Sequence, residues 1–129
     1  MAYVNVPIFV ESRYKVDRKR IKNTIQGVLS KHEVVGEMEV SVAVVGDRKM
    51  RALSQKYKGE DKTRNILSFS MAEGDSVVAP KDGVLRLGDI VLSYPEVIRE
   101  AARDEVLVDD KVDELVIHGL EHLLGLHHE

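Results

Sequence analysis

The 129-residue chain contains no cysteine and no tryptophan, three prolines, and few aromatics, four Tyr and two Phe. Without thiols, thiolate catalysis, iron–sulfur clusters and cysteine-ligated zinc are excluded, so a transition metal would have only imidazole and carboxylate ligands. So few aromatic rings argue against a broad platform for stacking bases. No apolar run approaches the roughly 18 residues of a membrane span, and the N-terminus lacks a charged region followed by an apolar core. A soluble, cytoplasmic protein with no membrane partner is the expectation. No repeat, low-complexity tract or linker divides the sequence, which predicts one domain over residues 1–129, long enough to bury a core without disulfides.

Acidic residues outnumber basic ones only slightly, for a net charge of −3, but the two halves differ. Residues 1–64 carry 14 Lys and Arg against 8 Asp and Glu, whereas residues 65–129 carry 5 against 14. The total charge is a poor prior for nucleic-acid binding, yet half of the chain is basic.

Tyr3 to Val10 is rich in β-branched and aromatic residues and suits a strand, an edge one because of Pro7. Asp17 is placed to cap a helix with Ile21, Ile25, Val28 and Leu29 on one face and Arg18, Lys19, Arg20 and Lys22 on the other. Met38 to Val45 reads as a buried strand, after which Asp47 is expected to cap a helix through Met50, Leu53 and Tyr57 that Gly59 ends. Asn65 to Met71 and Leu87 to Leu92 are further strands, separated by a surface loop from Glu73 to Gly83. Ser93, with Pro95 just inside, starts a helix whose apolar stripe is Val97, Ile98, Ala101 and Ala102. A last helix runs from near Asp109 or Asp110 to Gly125. This order predicts an α/β (α+β) layer with a mixed four-stranded sheet.

The chemistry concentrates in the last helix, because four of the five histidines lie in the final twelve residues. On a wheel of about 100° per residue, Val112, Leu115, Val116, Gly119 and Leu123 form the buried stripe, and His118 and His122 fall together at its edge. A pair spaced i, i+4 sets two imidazoles one turn apart, at a separation the helix itself fixes. Gly125 then ends the helix and turns the chain back, so that His118-x3-His122-x2-Gly125-x2-His128 supplies three imidazoles and an open fourth position, the pattern of a catalytic zinc. The bland alternative is a set of surface histidines beside a helix C-terminus, where a cation suits the dipole. The added glycine and third histidine favour the metal site. His127 is a rival ligand or a neighbour of the metal, and the spacing favours His128. His32 reads as an exposed or capping histidine.

The run from His118 to His128, HGLEHLLGLHH, resembles the signature of the YbeY family of rRNA-maturation endoribonucleases, close to H-G-x-L-H-L-x-G-Y-D-H. Leu53 to Phe69, LSQKYKGEDKTRNILSF, resembles a second block of that family, and Leu87-Gly88-Asp89-Ile90-Val91 a third. The resemblance implies a zincin-like fold, one zinc ion per chain held by His118, His122 and His128, and single-strand-specific cleavage of RNA in small-subunit rRNA 3′-end maturation and ribosome quality control. It also implies the small ribosomal subunit and an Era-type GTPase as partners. The chain departs from the family pattern at Lys58, where the family usually has Arg, at Arg64 for Thr, at Glu121 for Leu and at His127 for Asp. It also ends at Glu129, where the family usually continues into another helix.

Metal-assisted phosphodiester hydrolysis is the mechanism these residues suggest, with Lys58 and Arg64 neutralising phosphate charge. Glu121 is a candidate base: HExxH peptidases carry theirs one residue after the first His, here Gly119, and positions 119 and 121 lie about 80° to either side of the metal direction. A solvated carboxylate, or one bonded to a ligand, is the competing reading of Glu121. Ser68 and Asn65, at the start of the following strand, are placed to line the cleft, but a structural role at a strand end is the favoured reading, and Asp89 reads equally as a turn residue, as one bonded to a ligand, or as a functional one. Arg48, Lys49, Arg51, Lys56 and Lys62, with Lys58 and Arg64, would form a strip for RNA backbone. Two alternatives remain: a zinc-binding ribosome assembly factor without catalysis, and a metal-dependent peptidase-like hydrolase, which Gly119 weakens.

Overall fold

A computed structural model describes residues 2–11, 13–71 and 83–125. The loop expected from Glu73 to Gly83 lies outside these residues except for Gly83, as do His127 and His128. The elements in chain order are β1 (Ala2–Asn5), β2 (Ile8–Val10), α1 (Arg18–Lys31), β3 (Gly36–Val45), α2 (Asp47–Lys58), β4 (Ile66–Ser70), β5 (Val84–Ser93), α3 (Tyr94–Asp104) and α4 (Val108–Leu123).

The sheet is mixed, as expected, but has five strands rather than four. Its order is β1-β3-β5-β4, with β2 also paired to β3. β1 and β2 run parallel to β3, β3 parallel to β5, and β4 antiparallel to β5. The single strand expected over Tyr3 to Val10 is divided at Pro7, which has no N–H to donate to a ladder. The Pro7 carbonyl still accepts from Val42 N at 2.9 Å, so both pieces stay on the same neighbour.

Alternation along the strands puts two cores on opposite faces. Val40, Val42, Ile90 and Leu92 meet Ile21, Ile25 and Leu29 of α1 and Val116 and Leu120 of α4 in the main core. Val45 and Val91, on the other face, join Leu67 and Met50 of α2 in a smaller one. The four apolar residues expected on α1 are all buried, and Asp17 caps it by accepting from Arg20 N at 3.0 Å. The stripe expected on α3 is half right: Val97 and Ala101 are buried, while Ile98 and Ala102 sit one step round the helix and are exposed.

Asp47 does not cap α2. Gly46 holds the cap position without a side-chain bond, and Asp47 is the first helical residue. Its carboxylate is taken by distant donors instead: Ser93 Oγ at 2.9 Å, Thr63 Oγ1 at 3.1 Å and an Arg99 guanidinium nitrogen at 2.8 Å. Burial pushes the Asp47 carboxyl up, but the bonds from Arg99, Ser93 and Thr63 outweigh it and hold the group below its ordinary range. Ser93 also caps α3, accepting from Glu96 N at 3.4 Å, so one buried hydroxyl joins the start of α3 to the start of α2.

α4 is held on both sides. Toward α1, Arg20 donates to Asp113 at 2.7 Å and to Asp110 at 2.5 Å, and Thr24 Oγ1 donates to Asp113 at 3.0 Å. Toward the sheet, Gly119 sits so close that a Cβ there would lie 2.8 Å from Ile66 Cδ1 and 3.4 Å from Ile90 Cγ2. β5 bends to receive the helix at Gly88, where the register against β3 shifts and φ is +147°. A Cβ at Gly88 would lie 2.1 Å from the Phe69 carbonyl oxygen, a position only glycine fills.

Candidate active site

The close seating of Gly119 carries the two histidines to the sheet's edge strand. His118 and His122, one turn apart on the rim of α4, open on a cleft of about 260 Å³ whose floor is β4, from Ile66 to Ser68. Lys58, at the end of α2, and Arg64, just before β4, form its basic side. Four of the residues expected in the site from sequence therefore meet in one cavity. His128 lies outside the described residues, and among those residues no group of three metal-ligating side chains occurs.

The donor set suits a metal. The two imidazoles share the cleft with no residue between them on that row of the helix, and Nδ1 of His122 lies 2.7 Å from Ser68 Oγ. A hydrogen bond at Nδ1 leaves Nε2 as the ring nitrogen that would take a metal. Ser68 stands opposite Ile90 in the ladder, and alternation places it with Ile66 on the face that meets α4. Ser68 lies between Leu67 and Phe69, on the same face as Ile66 and Ser70.

The cations differ in what they have available. Arg64 donates to Glu60 Oε1 at 2.6 Å, and Lys62 lies 2.8 Å from the other oxygen of the same carboxylate. Lys62 first, with Arg64, holds the Glu60 carboxyl below its ordinary range. Lys58 is exposed at the cleft mouth, immediately before Gly59, whose φ of +66° ends α2 as expected. Arg48, Lys49, Arg51 and Lys56 lie on the exposed side of α2, with Lys49 over the Phe9 ring at 5.6 Å and Lys56 over the Tyr57 ring at 5.1 Å. None of the four lines the cleft, and Lys49 lies toward β2, on the side of the sheet away from β4.

Glu121 is not brought to the histidines. Asp113, Ile117 and Glu121 form one i, i+4 row of α4, and Arg20 and Thr24 clamp that row against α1. Glu121 lines a separate hollow with Asn23, Lys31 and His32, and its carboxylate is 3.5 Å from His32 Nε2. The mirror-image base position read from the wheel is therefore occupied by the interface with α1. His32 is the C-cap residue of α1 and is half-buried by this contact. Position 119, the peptidase base position, faces Ile66 and Ile90, so a carboxylate there would be driven into the sheet.

Asn65 lines the cleft, but its side-chain amide donates to Glu100 at 3.2 Å and its backbone carbonyl accepts from Ser93 N at 3.0 Å. Asp89 is not in a turn: it lies within β5 on the face away from α4 and accepts a short hydrogen bond from Ser41. A larger hollow of about 460 Å³ lies between Tyr3, Gln26, Glu39 and Arg86. It contains no histidine, and Arg86 there is ion-paired with Glu39 at 3.4 Å. Among the described residues, no helix is long and apolar enough to cross a membrane.

Comparison with known proteins agrees with the resemblance read from the motifs. The chain is 35% identical over 119 residues to the endoribonuclease YbeY of Syntrophus aciditrophicus, covering 92% of this chain and 72% of that protein. It is 32% identical over 126 residues to that of Roseiflexus castenholzii, covering 98% and 79%. The solution structure of a Thermotoga maritima protein shares the fold with a TM-score of 0.63 at 24% identity, over 97% of this chain and 75% of that one. The family model described as endoribonuclease YbeY matches residues 8–129, and the chain belongs to that family.

Proposed function

We propose that this chain, acting as a single domain, is a zinc-dependent endoribonuclease that hydrolyses single-stranded RNA in the cleft between α4 and β4. The observation that supports this reading is the meeting of His118, His122, Lys58 and Arg64 in one cavity, in a family whose curated relatives are named endoribonucleases. His118, His122 and His128 would hold one zinc ion per chain. When bound, zinc supplies Lewis acidity toward a phosphoryl oxygen and a water acidified toward a pKa of ~7. Lys58 and Arg64 bind the phosphate and offset the charge that builds on it, in a cleft walled on one side by Ile66 and Leu67. The strip of Arg48, Lys49, Arg51, Lys56 and Lys62 holds flanking backbone by charge alone. Glu121 has no part in proton transfer in this arrangement.

The cellular reading follows the family: a cytoplasmic factor acting on the 3′ end of small-subunit rRNA and in ribosome quality control, with the small subunit and an Era-type GTPase as partners. Cleavage of a single-stranded RNA, measured before and after chelation and on return of zinc, with His122→Ala as control, tests the activity. The proposal expects cleavage that chelation abolishes and zinc restores. Absent or zinc-independent cleavage with retained binding to the small subunit would instead mark a non-catalytic assembly factor.

A further inference from the structure

We propose that Ser68 is a positioning residue for the metal centre, fixing the ring of His122 by its hydrogen bond to Nδ1. This rests on the reading of His118 and His122 as metal ligands. His122 lies in the last turn of α4, where its side chain is exposed. Ser68, in contrast, is anchored by the β4–β5 ladder, with Leu67 opposite Val91, Ser68 opposite Ile90 and Phe69 opposite Asp89. Its Oγ has one rotatable bond and lies 2.7 Å from the imidazole nitrogen. The ladder thus sets where the hydroxyl meets the ring.

The bond also engages Nδ1, which leaves Nε2 as the nitrogen open to a metal. A neutral imidazole carries one N–H, and only the other nitrogen has a lone pair for a metal. Ligation through Nε2 places the proton on Nδ1, which donates to Ser68 Oγ, and the serine hydroxyl remains free to turn its own hydrogen away. Hydrogen bonds of this kind to a metal-ligating histidine fix ring orientation and tautomer, and losing one typically weakens metal binding about 10–100-fold. Gly119 sets the distance, since its seating against Ile66 brings the helix near enough for a side chain as short as serine to reach the ring.

The test compares Ser68→Thr with Ser68→Val, two side chains of the same shape and strand preference that differ by the hydroxyl, beside Ser68→Ala and His122→Ala. Zinc affinity is measured by competition with a chromogenic chelator, and the tautomer of His122 by nitrogen-15 shifts of the zinc-loaded protein. The expected result is near-native affinity for Thr, a loss of about 10–100-fold for Val and Ala, and a protonated Nδ1 in the native protein. Melting of the metal-free variants separates a misfolded chain from a misaligned ring. Native affinity in both Val and Ala, with zinc lost in His122→Ala, overturns the role of Ser68 and leaves the metal reading standing. No zinc binding by the native chain, or full binding by His122→Ala, overturns both.

Discussion

Gly119 on α4 and Ile66 on β4 are in such close contact that any side chain at 119 meets Ile66 Cδ1 first, at 2.8 Å for the Cβ alone. The contact fixes the height of α4 above the sheet and with it the place of both histidines. A methyl group is tolerable there, because Ile66 Cδ1 is the flexible end of its side chain and alanine gains about 1 kcal/mol of helix propensity over glycine. A longer or charged group is not. Gly119→Ala should be close to neutral in a denaturant melt, whereas Gly119→Glu should lose about 3 kcal/mol or more, from overpacking and an unpaired buried carboxylate. Gly119→Glu should also gain no peptidase activity, because the carboxylate faces the sheet.

Ser93 and Asp47 tie the start of α3 to the start of α2 through a 2.9 Å hydrogen bond. Asp47→Ala removes the acceptor of the buried Ser93 hydroxyl, and a buried donor left unpaired costs about 1–3 kcal/mol. Thermal melting of Asp47→Ala should show a loss of that size, and Asp47→Asn, which keeps an acceptor oxygen, a smaller one.

Acid should destabilise the fold through depressed carboxylates. Arg103 first, and Lys111, hold Asp104 down at about 2, and Asp47 and Glu60 are also held below their ordinary range. A carboxyl with a lower pKa in the folded than in the unfolded chain contributes stability that is complete above the unfolded value of about 4 and is lost as pH falls through the folded one. The melting temperature should be level from pH 7 to about 5 and fall progressively from about pH 4 to 2. A fall that begins above pH 5 would require titrating groups other than these three.

The cleft cations should separate by what they contact. Lys58→Ala should reduce RNA cleavage at least tenfold, whereas Lys58→Arg should retain it, since a guanidinium keeps the charge and adds a fork matched to phosphate. Lys62→Ala should matter less, because Glu60 already shares that charge. Arg48→Ala and Arg51→Ala should leave the chemical step unchanged while each lowers the salt slope of RNA binding by about 1. Single-turnover rates and binding at several salt concentrations read these outcomes.

Glu121→Gln should leave the pH profile of RNA hydrolysis unchanged, because the carboxylate faces His32 on α1. Disappearance of one limb of that profile would place Glu121 in the chemistry.

Features set by local pattern were legible in the sequence. The buried face of α1, the Asp17 cap, the stop at Gly59 and the edge position of His118 and His122 all follow from spacing within a few residues. Features set by distant partners were not. Asp47 looked like a cap because its donors, Thr63, Ser93 and Arg99, lie 16 to 52 residues away. A helical wheel placed Glu121 as far from the metal direction as Gly119, but only the packing of Arg20 on Asp113 shows that its side of α4 belongs to α1. Ser68 and His122, 54 residues apart, become neighbours only once α4 is seated on β4.

Zinc content per chain, measured by elemental analysis on purified native protein and on His118→Ala and His122→Ala, addresses the central claim most directly. The account predicts about one zinc per native chain and close to none in either variant. An equal zinc content in all three, or none in the native chain, would contradict it.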